Sequence, residues 1–166
     1  AVTQGTGTTV AAKATQLYTD GWPTGIQVDA LGAFYDKTVD VKTALGLGAV
    51  NTTTGNGELL FTGGKLTADL AVTAFNIAPG TTTGVSMVTK IPVTNSTFVL
   101  VATQGVGQFS GSFKPNWTSP AAAKPLFKGV LIQKGASKGG YGYFISNRTS
   151  DLDPESGRVT LGVQVP

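Results

Sequence analysis

The residues best suited to chemistry in this sequence are aromatic side chains in polar turns. Trp22 lies in the turn-forming segment 20–25, and Trp117 lies in the similar segment 115–120. A core tryptophan would normally lie within an apolar run, whereas a tryptophan on a loop often marks a binding face. Indole faces stack on the C–H side of sugar rings, and a neighbour such as Asn116 can bond the hydroxyls. The pattern predicts sugar contacts; the alternative is that each indole packs as a lid over a barrel end.

Three tyrosines extend this candidate binding surface. Tyr141 and Tyr143 flank Gly142, so they face the same side of a strand and leave a flat surface between them. Tyr35 is expected to be exposed because Asp36 follows it. For the Tyr141–Tyr143 pair, the alternative is an aromatic ladder that stiffens a strand.

Three acidic residues lie close together in the segment 150–155. Asp151, Asp153 and Glu155 would offer oxygen ligands in an irregular loop, which suits Ca²⁺. The spacing is not that of an EF-hand, and a solvated turn between strands is the alternative. No cofactor other than calcium is expected.

Catalysis by the common nucleophilic systems is excluded by composition. The chain has no histidine and no cysteine, so Ser-His-Asp triads, Cys-His pairs and Cys/His zinc sites cannot form. A glycosidase needs two carboxylates, but no acid here is flanked by the aromatic, Arg and Asn residues that usually hold a sugar. We therefore expect no catalytic residue and no enzyme.

The composition is typical of a secreted β-rich module. Of 166 residues, 40% are apolar and only 13% are charged, about half the usual charged fraction. Threonine, serine, asparagine and 23 glycines carry the solubility instead. We expect one domain at 10–166, a loose segment or linker at 1–9, and an extracellular or cell-surface location.

The charges are unevenly distributed along the chain. Residues 1–85 hold four lysines and six acids, whereas residues 86–166 hold six lysines, two arginines and three acids. A nucleic-acid footprint would show clustered arginines and stacked aromatics, so no nucleic-acid partner is expected. No run of about 18 apolar residues is present, which argues against membrane insertion. We expect a monomer within a larger protein.

From residue 26 onward the dominant hydrophobic period is two, interrupted by Gly, Asn and Pro, and Gly63-Gly64 is a two-residue hairpin signal. A short helical turn is predicted only at 10–17. The pattern predicts an all-β fold, an antiparallel meander closing as a β-barrel or a two-sheet β-sandwich with minimal helix. Strands are predicted at 26–34, 38–45, 58–61, 65–75, 84–90, 97–103, 107–114, 126–134, 141–146 and 158–165. The predicted core is Phe109, Phe113, Phe127, Val130, Ile132, Phe144, Val159 and Leu161.

The segment 107–161 carries a recurring glycine and aromatic skeleton: GQFSGSF, then KPLFKGVLIQK, GYGYF and SGRVTL. It resembles a β-rich module found near the C-terminus of large secreted or surface proteins of verrucomicrobial and planctomycete bacteria. The resemblance implies an antiparallel meander in an extracellular multidomain parent, often one that handles or adheres to polysaccharides. It implies no catalytic residues. The insert 115–125, which contains Trp117, departs from the usual pattern.

Together these observations predict a non-catalytic carbohydrate-binding module. The expected ligand is a polysaccharide of the glucan, xylan or mannan class, bound weakly and with little salt dependence. The alternative is a structural or adhesive surface domain without a glycan ligand.

Overall fold

The chain divides into two units, and most of the described residues belong to the second. In the computed structural model these units are Ala1–Gly32 and Ala33–Pro166. The residues described are 24–25, 27, 30–82, 85–117, 124–146 and 155–163. The predicted domain boundary after residue 9 and the helical turn predicted at 10–17 lie outside the described residues.

The described residues of the second unit form a single antiparallel β-sheet. Its strands are β1 (Glu58–Gly63), β2 (Leu70–Val72), β3 (Phe75–Thr82), β4 (Val85–Lys90), β5 (Phe98–Thr103), β6 (Gln108–Phe113), β7 (Leu126–Ile132), β8 (Gly139–Ile145) and β9 (Ser156–Gly162). Their order is β2-β1-β9-β8-β7-β6-β5-β4-β3, and each strand is antiparallel to its neighbours. The predicted all-β antiparallel meander is therefore confirmed.

The two ends of this sheet order, β2 and β3, are adjacent in the chain. Only Thr73 and Ala74 separate them, and the antiparallel pairings make both strands run in the same direction. They act as two halves of one bent strand, with β2 pairing to β1 and β3 pairing to β4. Because the bend carries the chain from one end of the sheet order to the other, the sheet nearly closes into a barrel.

Asn56, a buried residue just before β1, hydrogen-bonds to β3 near this bend. Its backbone N–H donates to the Phe75 carbonyl at 3.1 Å. Its side-chain amide accepts from the Ile77 N–H at 2.9 Å and donates to the Ile77 carbonyl at 3.0 Å. The side chain thus supplies to β3 the hydrogen bonds that a neighbouring strand would make. The backbone N–H and carbonyl of Ile77 are therefore both paired.

The strand predicted at 38–45 is wrong, because this segment contains the helix α1 (Val41–Leu45). Asp40 caps its N-terminus by accepting from the Thr43 N–H at 3.0 Å. Gly46, with φ of 70°, ends it, and Leu47 N–H donates to the Lys42 carbonyl in a Schellman arrangement. An aspartate cap and a terminal glycine decided the local structure against the β propensity of the valines.

Other predicted elements also require correction. Residues 30–34, within the strand predicted at 26–34, are exposed and outside any strand; Ile26, Val28 and Asp29 lie outside the described residues. The segment 65–75 is strand only at β2 and at Phe75, and β3 was not predicted. Gly63-Gly64 is not a two-residue hairpin, because Lys65 also has a positive φ of 60° and β2 begins only at Leu70.

Aromatic rings fill the barrel interior. All of the predicted core residues belong to one buried cluster except Val130, whose side chain is 50% exposed, and Ile132, which is buried outside that cluster. Val130 faces outward because β7 alternates, and Leu131 is buried in its place. Seven of the eight phenylalanines are fully buried: Phe61, Phe75, Phe98, Phe109, Phe113, Phe127 and Phe144.

Glycines make room for these rings on the neighbouring strands. A Cβ added at Gly129 would lie 2.3 Å from the Phe109 ring, and one added at Gly157 would lie 2.2 Å from the Phe144 ring. In each case the glycine is the direct cross-strand partner of the ring, as in the pairs Phe109–Gly129, Phe127–Gly111 and Phe144–Gly157. The phenylalanines and glycines of the skeleton that form these pairs are therefore a packing pattern of the barrel interior, whereas its two tyrosines lie on the other face of β8.

Candidate ligand-binding face

The outward side of strands β6–β9 is the best candidate for a binding site. Because side chains alternate along each strand, the same strands that bury phenylalanines direct polar and aromatic groups to the outside. We call this surface the outer wall. Its central members are Ser110, Lys128, Val130, Tyr141, Tyr143 and Arg158.

The strand register arranges the outer wall in two rows. In the first row Lys128 and Arg158 are the direct partners of Tyr143 on its two sides, and Ser110 follows beyond Lys128. The second row, one pleat away, is Gln108, Val130, Tyr141 and Thr160. A phenol ring therefore lies between two cations, with a second phenol on the adjacent row.

Two shallow grooves on this surface include Lys128 and Tyr143, and another is lined by Tyr141, Arg158 and Thr160 together with Glu58 and Lys138. The first is lined by Leu126, Lys128, Tyr143 and Ile145. The second includes Lys128 and Tyr143 again, together with Tyr141, Gln108, Ser110 and the backbone of Gly129 and Gly142. Tyr143 is 56% exposed, so its ring is accessible to a ligand, whereas Tyr141 is half-buried.

The charges on the outer wall are unbalanced. Within the described ranges, neither the Lys128 ammonium nor the Arg158 guanidinium has a hydrogen-bond or ion-pair partner. Neither row contains a carboxylate. The acid Glu58 lies on the neighbouring strand β1, where it is the partner of Gly162. Thr62, the β1 partner of Arg158, follows it by four residues. The rows therefore present two free positive charges around an aromatic ring.

Trp117 and Asn116 lie elsewhere, in the loop between β6 and β7. The half-buried indole of Trp117 donates its N–H to the Gly64 carbonyl at 3.3 Å. The Asn116 amide donates to the Ala68 carbonyl at 2.9 Å and accepts from the Thr67 N–H at 3.2 Å. These bonds fasten the loop to the connection between β1 and β2. Trp22 lies outside the described residues.

Tyr35 is also engaged in an internal contact. Its hydroxyl donates to the Gln104 carbonyl at 2.7 Å, and its ring covers Gly107, where an added Cβ would lie 2.8 Å away. Burial, with a contribution from the Asp36 carboxylate, raises the pKa of the Tyr35 hydroxyl above its ordinary value. The structure therefore places Tyr35, which was expected to be exposed, half-buried against the β5–β6 connection.

The proposed calcium ligands are only partly described. Asp151 and Asp153 lie outside the described residues. The Glu155 backbone pairs with Ser146, whose N–H donates to the Glu155 carbonyl at 2.8 Å. In the part of the chain that the structure describes, no group of three acidic, His or Cys side chains could hold a metal ion. Calcium binding at this loop stays a prediction.

Sequence reasoning missed Lys128 and Arg158 as site residues. Each lies on a strand that the period-two pattern identified, and each alternates with buried residues. Their proximity to Tyr143 depends on the pairing of three strands, which no local pattern contains. The available signal was the sequence order of the meander, since sequential strands usually pair.

Comparisons with protein-family models, with curated proteins and with solved structures found no match to this chain. Within the described residues, the helices are too short or too polar to cross a lipid bilayer.

Proposed function

We propose that this domain is a non-catalytic carbohydrate-binding module that binds a polysaccharide on the outer wall. The observation that carries the proposal is the position of Tyr143, a half-exposed ring in a shallow groove with polar side chains on both neighbouring strands. Its parent is a secreted or surface protein, as the composition and the resemblance of the segment 107–161 suggest.

The chemistry of the outer wall suits a sugar chain. A phenol ring can cover the C–H face of a pyranose and has little rotamer freedom to lose on binding. Around it, Lys128 and Arg158 donate hydrogen bonds, and Ser110, Gln108 and Thr160 can donate or accept them. Open grooves admit an extended polymer without requiring a chain end.

The structural or adhesive alternative is favoured by a different part of the outer wall. Leu126 is 72% exposed and lies beside the outward side chain of Ile145 in the first groove. Exposed apolar groups of this kind occur at protein contacts. In this alternative the outer wall packs against another protein domain.

Affinity electrophoresis of the full chain against soluble polysaccharides tests the proposal. The panel contains a glucan, a xylan, a mannan and a polygalacturonate. We expect retardation by at least one polymer, with Kd between about 1 μM and 1 mM, and a loss of about tenfold or more in Tyr143→Ala because stacking on the ring is removed.

Phe34→Ala is the matched control, since Phe34 is an aromatic ring 80% exposed outside the outer wall. This variant should be retarded as strongly as the parent chain. If no polymer retards the parent chain, or if Tyr143→Ala binds as well as it does, the carbohydrate proposal is wrong.

A further inference from the structure

We infer that the ligand of the outer wall is an acidic polysaccharide, one whose sugar rings carry carboxylate or sulfate groups. This inference rests on the proposed function and names its ligand class. It departs from the neutral glucan, xylan or mannan that the sequence favoured. The evidence is the placement of Lys128 and Arg158 as the two cross-strand partners of Tyr143.

The spacing of these cations matches an extended chain that crosses the strands. Lys128 and Arg158 lie on β7 and β9, the two neighbours of β8. Strands are spaced about 4.8 Å apart, so the two backbones are separated by about 10 Å with the Tyr143 ring between them. A sugar stacked on the ring would thus have a cation on each side, in reach of acidic groups on it or on adjoining rings.

The charge balance favours an anion at this position. Two unpaired cations on the strands that flank β8, on one face of the sheet, have no acidic partner among the described residues of the two rows. An anionic ligand would supply the missing partners through charge-assisted hydrogen bonds, and the Arg158 guanidinium can bind a carboxylate with two parallel bonds.

A polysaccharide fits this surface better than single-stranded nucleic acid, which also binds to aromatic rings flanked by cations. Nucleic-acid grooves track a backbone with a charge at every nucleotide and therefore carry a continuous line of basic residues. Here the second row, beside the row of Tyr143, holds Tyr141 together with the uncharged side chains of Gln108, Val130 and Thr160. Neutral hydrogen-bonding groups with two cations match a polymer that is rich in hydroxyls and carries fewer charges.

A pair of polymers with the same backbone tests the inference on the full chain. The probes are polygalacturonate and its fully methyl-esterified form, in which the carboxylates are neutral. We expect polygalacturonate to bind at least about tenfold more tightly, and its affinity to fall as NaCl rises from about 50 to 500 mM because salt screens exposed charges.

Three variants connect the effect to the named side chains. Lys128→Gln and Arg158→Gln should each weaken polygalacturonate binding about three- to fivefold, as expected for an exposed charge pair. Binding of the esterified polymer should change little. Lys37→Gln, which removes an exposed charge elsewhere, is the control and should bind as the parent chain does. Unchanged thermal unfolding will establish that the three variants are folded.

The outcomes separate the two proposals. If the esterified polymer binds equally well and the Gln variants lose nothing while Tyr143→Ala weakens binding, the acidic-ligand inference is overturned and the carbohydrate function stands. If Tyr143→Ala weakens neither polymer, both proposals are wrong. If a single-stranded oligonucleotide binds more tightly than polygalacturonate and depends on the same side chains, the ligand is a nucleic acid and the inference is overturned.

Discussion

The two sides of the β6–β9 wall are built from the same strands but are opposite in character. The inward side consists of buried phenylalanines, glycines and branched aliphatic residues, and several of its glycines have no space for a methyl group. The outward side carries Tyr143, Lys128 and Arg158, which have free polar or aromatic surface. The difference shows that stability is concentrated on one side of each strand, which leaves the other side available for binding.

The largest expected effect comes from removing an inward ring. Phe127 is 1% exposed and lies near the rings of Phe61, Phe109 and Phe113. Phe127→Ala should lower the free energy of unfolding by about 3–5 kcal/mol, because it removes buried surface and leaves a cavity. Chemical denaturation measures this loss.

Leu126→Ala, the outward neighbour, is the control for Phe127→Ala. Its side chain is mostly solvated, so the loss of unfolding free energy should stay below about 0.5 kcal/mol. Equal losses at the two positions would contradict the division of the wall into two sides.

A smaller loss of stability is expected where a glycine faces a ring with no space for a side chain. In Gly129→Ala the added methyl group would meet the Phe109 ring at 2.3 Å and the Tyr141 carbonyl at 2.6 Å. We expect a loss of about 1–3 kcal/mol in unfolding free energy from overpacking.

Gly162→Ala offers the comparison for Gly129→Ala on the same sheet, since a Cβ there meets nothing within 4 Å. Unfolding in urea should show little change for this variant. A Gly129→Ala protein as stable as the parent chain would mean that the interior can adjust to an extra methyl group.

The smallest effect concerns a charge at the start of α1, outside the wall. Partial burial raises the pKa of Asp40, but hydrogen bonds from Thr43, supported by Lys42, outweigh it, and the pKa of this carboxyl falls below its ordinary value. The ionised cap therefore stabilises the fold above pH about 4, and this contribution is lost as the pH falls through the lower folded-state pKa. Asp40→Ala should cost about 1 kcal/mol at pH 7.

Asp40→Asn sharpens this test, because asparagine caps a helix without titrating. Its unfolding free energy at pH 7 should be near that of the parent chain, and its stability should fall less between pH 5 and pH 2.5. If the parent chain and the Asn variant show the same pH dependence of unfolding free energy, ionisation of Asp40 does not contribute to acid stability.

Local sequence patterns predicted the second half of the barrel well. From β5 to β9 the strands alternate, and Phe109, Phe113, Phe127 and Phe144 were predicted to be core residues, whereas the buried Phe98 of β5 was not. Val130 was misassigned because β7 contains the apolar run Val130–Ile132, in which period two does not distinguish the two faces. Only half of the proposed binding residues could be predicted in this way, because Tyr141 and Tyr143 share a strand, whereas Lys128 and Arg158 lie beside them through strand pairing.

In the first part of the second unit, the local structure depended more on tertiary context, and the sequence predicted it less well. Val39 and Val41 suggested a strand. The helix α1 is instead indicated by Asp40, which caps its N-terminus, and by Gly46, which ends it. β3 was missed because Pro79 and Gly80 interrupt its sequence, and its open edge is completed by the Asn56 side chain instead of a strand. Trp117 and Asn116 were predicted to bind ligand, and the structure shows that their polar groups bond to the connection between β1 and β2.

The sequence by itself determined the class of the fold, the alternation of each strand in the second half and the absence of histidine and cysteine chemistry. These properties depend on residue type and on a two-residue period, and both are local. Only the tertiary structure decided the closure of the sheet through the bent β2–β3 strand, the glycine partners of Phe109, Phe127 and Phe144, and the placement of two cations beside Tyr143. These features require strands far apart in sequence to pair in one register, and that register is set by how the whole interior packs.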